Sequence, residues 1–205
     1  MMKQVFLIAI TFALFFSSCS EKKELPIFGP KEFIEGIDKD TVYHTIPFWS
    51  FTNQDNQVMS SQDYEDKIYI TDFFFTHCPG VCPELLKSLK HIQHELKNVD
   101  VEIISHTVDP KNDTPERLKW YVEKNEVDTH NWNFLTGVQQ DIYELGVNGY
   151  LVPNQEDALA PGGFLHSEKL MLIDKKNRIR GFYNGRDKES VAKLIEDVNL
   201  LVNEQ

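Results

Sequence analysis

A chain of 205 residues, 41% hydrophobic and 26% charged, holds enough material for one well-buried globular domain and hardly enough for two. With 21 Lys and Arg against 32 Asp and Glu, its formal net charge of -11 argues against a nucleic-acid binder, which needs clustered cations for phosphate. The acidity suits a soluble surface.

The N-terminus, MMKQVFLIAITFALFFSSCS, has one lysine, an apolar run over residues 5–16 and then small residues. That is the pattern of a secretory signal, too short for a spanning helix of about 20 residues. Its end, Phe16-Ser17-Ser18-Cys19, resembles a bacterial lipobox with Phe16 in place of the usual leucine; an ordinary cleavage site followed by an incidental cysteine is the alternative. The expected organisation is a lipoprotein signal peptide over residues 1–18, a charged tether over 19–40 and one domain over 41–205. Lipid on Cys19 would hold the domain on the periplasmic or extracytoplasmic side of a bacterial membrane. It would also leave Cys78 and Cys82 as one pair where disulfides can persist.

In chain order, TVYHTIPFWSF (41–51) followed by the turn-rich TNQDNQ suggests a short strand or hairpin ahead of the main fold. KIYITDFFFT (67–76) is β-branched and aromatic, as a central strand should be, with Asp72 an oddity that receives no role. In the segment after it, Leu85, Leu86, Leu89, Ile92 and Leu96 recur at helical spacing behind Pro83, which fits a first helical turn. A strand over 101–108 follows, then a helix capped by Asp113 or Thr114 with Pro115 in its first turn. WNFLTG forms a further strand, residues 138–145 a helix, and 146–165 a long irregular stretch. SEKLMLIDKKNRIRGFYNG reads as two strands around a Lys-Lys-Asn turn, with a closing helix over 187–202. This order predicts an α/β sandwich with a mixed sheet.

The chemistry concentrates in FFFTHCPGVCPELL (73–86), where a strand runs into two cysteines four apart at a helix start. Residues at that spacing share a helix face, so both sulfurs can converge. A helix N-terminus favours thiolate over thiol, which serves thiol exchange and metal binding alike. Three roles stay open: a structural disulfide, a redox couple, or two soft ligands for Cu(I) or Zn(II). The three intervening residues, Pro79-Gly80-Val81, leave more room for an ion than the two of thioredoxin-type redox sites.

Two sulfurs are an incomplete metal site, so the histidines matter. His91 and His94 fall on the helix surface, and His44 and His130 sit in polar segments. His77 adjoins Cys78, but strand neighbours point to opposite faces. His106 ends a predicted parallel strand, where α/β sheets gather their sites. His166 is the best candidate for a third ligand, because Pro161-Gly162-Gly163 just upstream lets its loop swing toward the cysteines.

FFFTHCPGVCPEL, SHTVDPKNDTPERLKWYV and FLHSEKLMLIDKKNRIRGFYNG together resemble the Sco/SenC family of copper-binding, thioredoxin-like assembly proteins of cytochrome oxidase, over roughly residues 43–202. The resemblance implies a thioredoxin-like sandwich, its mixed central sheet flanked by helices, with an extra N-terminal β-hairpin. It places copper ligands on Cys78, Cys82 and His166, and a supporting acid on Asp109. The function it implies is a copper metallochaperone for the copper A centre of cytochrome c oxidase, with that copper A subunit as partner. The alternative is a membrane-anchored thiol-disulfide oxidoreductase using Cys78 and Cys82 as a redox pair on oxidase or other exported cysteines.

Overall fold

The computed structural model describes residues 24–33, 41–165 and 167–204. The expectations for the signal segment, Cys19 and His166 lie outside the described residues.

The central strand is β5 (Tyr69–Phe74), with all six residues buried. Its β-branched and aromatic side chains fill both faces, as a strand covered on both sides requires. Parallel to it runs β6 (Glu102–Thr107), pairing Phe73 with His106, and parallel to that runs β7 (Trp132–Thr136). On the other side β10 (Lys169–Ile173) pairs antiparallel with β5 and with β11 (Ile179–Asn184). The turn between them is built by Asp174, whose Oδ1 accepts from the Lys176 and Arg178 backbone N–H groups. The anticipated mixed sheet is therefore present.

The hairpin of β3 (Ser50–Asn53) and β4 (Val58–Ser60) is folded by its own turn residues. The Asn53 Oδ1 accepts from the Asp55 and Gln57 N–H groups, and Asn56 takes a left-handed φ of 58°. It does not stand apart from the main fold, because β3 adds antiparallel to β7. Among the described residues the sheet order is β11-β10-β5-β6-β7-β3-β4. The extra N-terminal hairpin is β1 (Lys31–Phe33) with β2 (Thr41–Tyr43). Residues 24–33, within the stretch expected as tether, lie against the fold. Arg180 donates to the Leu25 and Pro26 carbonyls, and Phe28 packs edge-on against Phe182.

Strand alternation divides the core. Asp72, Phe74, Ser105, Trp132 and Phe134 face α1 (Cys82–Glu95) and α2 (Pro115–Lys124), lining one internal void with Cys82 and Tyr121. On α1 the buried Leu85, Leu89 and Ile92, with Leu96 at its C-cap, contribute roughly 1.5–3 kcal/mol each. α2 begins at Pro115 with Thr114 as its cap, its hydroxyl accepting from the Arg117 N–H. α4 (Lys188–Glu204) packs on β11, where Tyr183 donates to Asp197 at 2.9 Å. The helix expected over 138–145 is α3 (Gln139–Glu144), and the segment expected to be irregular after it carries a π turn (Leu145–Gly149) and a small pair of strands, β8 (Gln155–Glu156) with β9 (Phe164–Leu165).

The opposite face of the sheet holds His106 among the rings of Trp49, Phe51, Phe73 and Tyr150, at centroid distances of 5.4–5.7 Å. Both ring nitrogens are buried without a hydrogen-bond partner among the described residues, and desolvation pushes the imidazole pKa down to about 3. An unfolded imidazole protonates near 6.5, so below that pH the unfolded chain takes up a proton that the folded chain refuses. Stability is full above about pH 6.5 and falls as the pH drops, by up to about 1.4 kcal/mol per pH unit. Denaturant midpoints measured from about pH 6.5 to about pH 5 should show this slope, and His106→Phe should flatten it; an unchanged slope in the variant would assign the effect elsewhere.

Candidate metal and thiol centre

The chain leaves β5 at Phe74 and reaches α1 at Cys82 through a seven-residue loop, 75–81. The Cys78 N–H donates to the Phe75 carbonyl at 3.3 Å, and Val81, already helical in φ and ψ, receives the Leu85 N–H. Cys82 opens the helix with Pro83 behind it, which needs no partner for a backbone N–H in the first turn. Both cysteines are thiols. Cys78 is half-buried and Cys82 is 2% exposed, and a side-chain hydrogen bond joins them.

That bond brings the sulfurs within the span of one ion, since metal–sulfur bonds are about 2.3 Å each. It also works against the expected thiolate. The Cys82 thiol is pushed well up, first by its hydrogen bond with Cys78 and then by burial, while a backbone hydrogen bond at Phe75 pulls the other way. At this helix start, proton sharing and desolvation outweigh the helix dipole.

A buried carboxylate fixes the loop. Asp113 is fully buried and accepts from the Thr76 N–H at 3.0 Å, the Thr76 hydroxyl at 2.5 Å and the Thr107 hydroxyl at 2.5 Å. Thr76 in turn accepts from the Arg117 Nε at 3.0 Å. Asp113 thus clamps the exits of β5 and β6 and is not the helix cap. Its carboxyl pKa is raised by burial, with the threonine hydrogen bonds opposing the rise.

Asp109, also buried, accepts from Asn112 at 2.7 Å and lies 3.5 Å from His77 Nε2, which places it against the cysteine loop at the residue before Cys78. His77 follows the end of β5, so strand alternation does not govern it, and it sits at the cleft beside Cys78. His106 is on the other face of the sheet from Cys82 and takes no part. His44 Nε2 donates to the Gly149 carbonyl, His130 pairs with Asp128, and His91 and His94 are exposed.

Although His166 is outside the described residues, its upstream neighbours are placed. Phe164 packs 5.1 Å from Phe75, and Gly162, at φ 80°, passes so close that a Cβ there would meet the Phe75 ring at 2.7 Å and Pro79 at 3.0 Å. Glycine at 162 is required by this close approach as well as by the backbone conformation. Among the described residues no group of three or more His, Cys, Asp or Glu is arranged to hold a metal.

Sequence reasoning gave Asp72 no role. It is buried behind the pair, receives the Ser105 hydroxyl at 2.5 Å, lines a void of ≈ 10 Å³ with Cys82 and helps raise the Cys82 thiol. An acid in an otherwise apolar strand six residues before a cysteine was the available signal.

A dithiol at the exit of the central strand of a mixed sheet, one sulfur half-exposed and one buried, defines a thioredoxin-like thiol protein. The chain belongs to the SCO1/SenC family, whose model matches residues 38–203. The SCO1 protein homolog of Bacillus subtilis (strain 168) is 30% identical over 167 residues, 78% of this chain and 84% of its own length. A SCO1/SenC family lipoprotein from Bacillus anthracis str. Ames superposes with a TM-score of 0.72 at 30% identity, over 77% of this chain and 95% of that one. BsSco, described as a member of the Sco family of cytochrome c oxidase assembly proteins and as containing a disulfide switch, gives 0.72 at 28% identity over 82% and 98%. ScoI of Bradyrhizobium japonicum with copper bound shares the fold, with a TM-score of 0.62 at 23% identity over 74% and 98%. No helix among the described residues is long and apolar enough to cross a membrane.

Because Cys82 is both buried and less acidic, iodoacetamide should label Cys78 first, with Cys82 slower by at least about tenfold when the sites are mapped by mass. Equal labelling would contradict this arrangement.

Proposed function

We propose that the chain is a copper-handling assembly factor that holds one ion on Cys78, Cys82 and His166 and passes it to the copper A centre of a cytochrome c oxidase subunit. The observation that carries this is the hydrogen-bonded sulfur pair at the mouth of a cleft, two soft donors already within reach of one soft cation. Phe164 and Gly162, resting on the cysteine loop, support His166 as third ligand, and copper bound in the related ScoI supports the choice of metal. Three ligands leave one coordination position open, and a histidine on a loop can leave and return, so a receiving thiolate can enter before the donor lets go. Asp109 supports the loop through His77. Export, with lipid on Cys19 holding the domain to a membrane, is part of the same reading and agrees with the lipoprotein nature of the Bacillus anthracis relative.

Titration of the reduced chain with Cu(I) against a competing ligand should give about one ion per chain, and a Cys78/Cys82 double serine variant should take none. His166→Ala should weaken binding at least tenfold, or about 1.4 kcal/mol. Binding displaces thiol protons, and the Cys82 thiol is raised, so affinity should increase with pH. A folded, reduced chain that refuses copper overturns the proposal.

Asp72 favours a second reading, thiol-disulfide exchange. Cys78, the more exposed sulfur, would attack a partner disulfide, and Cys82, with a buried carboxyl behind it to take its proton, would resolve the mixed disulfide. Asp72→Asn keeps an oxygen for Ser105 while removing the base. It should slow reduction of a small disulfide at least about tenfold and leave copper stoichiometry intact; an undiminished rate removes this reading.

A further inference from the structure

The cleft in front of the cysteines is lined by Lys87 and Lys90 of α1, Arg117 and Lys124 of α2, and Trp120 between the latter two. Its volume is ≈ 550 Å³, and no Asp or Glu is among its lining residues. That is against the grain of a chain with 32 acidic residues and 21 basic ones. Elsewhere Lys67, Lys119, Arg178, Arg180, Arg186 and Lys193 each pair with a carboxylate. Among the described residues none of the four cleft cations does so.

Three of the four are instead held by neutral groups. Lys90 Nζ donates to the Asn125 carbonyl at 2.8 Å, and Arg117 Nε donates to Thr76. The Arg117 guanidinium lies 4.0 Å from the Trp120 ring centre, and Lys124 Nζ lies 4.6 Å from it. Trp120 is 42% exposed, a large flat surface fixed between two positive charges. Aromatic and Arg side chains of this kind are enriched among the residues that dominate protein interfaces.

We propose that this cationic cleft docks an acidic, extended polypeptide segment of the thiol-bearing partner that meets Cys78 and Cys82. The class of partner rests on the dithiol function proposed above; the charge of the segment rests on the cleft. The cations stand at the rim of the approach to Cys78, where charge acts mainly on the rate and orientation of encounter. A flat anionic lipid surface cannot follow a concave cleft, whereas a narrow acidic peptide can enter it and meet its four cations.

The test uses a fluorescently labelled peptide of alternating glutamate and serine, with a lysine–serine peptide as control, and measures anisotropy against the full chain. The glutamate peptide should bind and the lysine peptide should not, with affinity falling as salt rises. Lys87→Glu with Lys124→Glu should weaken binding at least about tenfold. Trp120→Leu, which leaves every charge in place, should weaken it by a smaller factor, and both variants should keep wild-type copper stoichiometry and thermal midpoints. Equal binding of the two peptides, or glutamate-peptide binding that ignores the charge reversal, overturns the proposal. So does a charge reversal that abolishes attachment to anionic vesicles while sparing the peptide. The two proposals fail separately: a chain that takes copper but ignores the peptide loses the docking surface alone, and one that binds the peptide but refuses copper loses the metal function alone.

Discussion

The Asp113 carboxylate sets the geometry on which the cysteine centre depends. It gathers the Thr76 amide, the Thr76 hydroxyl and the Thr107 hydroxyl, so the exits of two neighbouring parallel strands are tied to the residue just before α2. A charge this deeply buried is tolerated only when hydrogen bonds satisfy it, and leaving such a group unsatisfied costs about 1–3 kcal/mol or more. The return is positional. Thr76 is two residues from Cys78, and its hydroxyl also receives Arg117, so one acid fixes the height of the cysteine loop and the direction of a cleft cation together.

Around that clamp, two opposing influences act on the sulfurs. The helix start invites a negative sulfur, whereas burial and the shared proton keep Cys82 a thiol. The second wins, and the result suits a pair that must stay quiet until something displaces its protons. A soft cation does so by bonding to both sulfurs, and a disulfide does so by offering one of them an electrophile. The same local arrangement is compatible with both proposed readings, metal transfer and thiol exchange, and these differ in groups outside the pair: a third ligand for the first, the carboxyl of Asp72 for the second.

What could be read from the sequence was what is local in it. The Cys78–Cys82 spacing, Pro83 and Pro115 in first helical turns, the Thr114 cap and the apolar period of α1 depend on neighbours within a turn or two, and all are where the pattern put them. Asp72 and His106 depend on which face of a strand meets which helix, and one strand's alternation cannot say which parity is up; Asp113 depends on a loop that brings it back to Thr76 and Thr107. His106 and Ser105 are adjacent letters; one lies in an aromatic box and the other bonds Asp72 on the thiol side. For the same reason the β3–β4 turn was legible and its docking on β7 was not.

The cleft cations carry this one step further. Their interaction with water-exposed charges is of the order of 1 kcal/mol at contact and is screened beyond roughly 10 Å, so from the rim they do little to the buried Cys82. The influences that do raise it are Cys78, burial and Asp72. Charge at the mouth and proton affinity at the bottom are thus set by different residues, and each can change without disturbing the other. A centre built this way separates recognition from chemistry. In the proposed docking the rim selects the polypeptide that arrives, and the sulfur pair, half-buried at Cys78 and buried at Cys82, carries the chemistry.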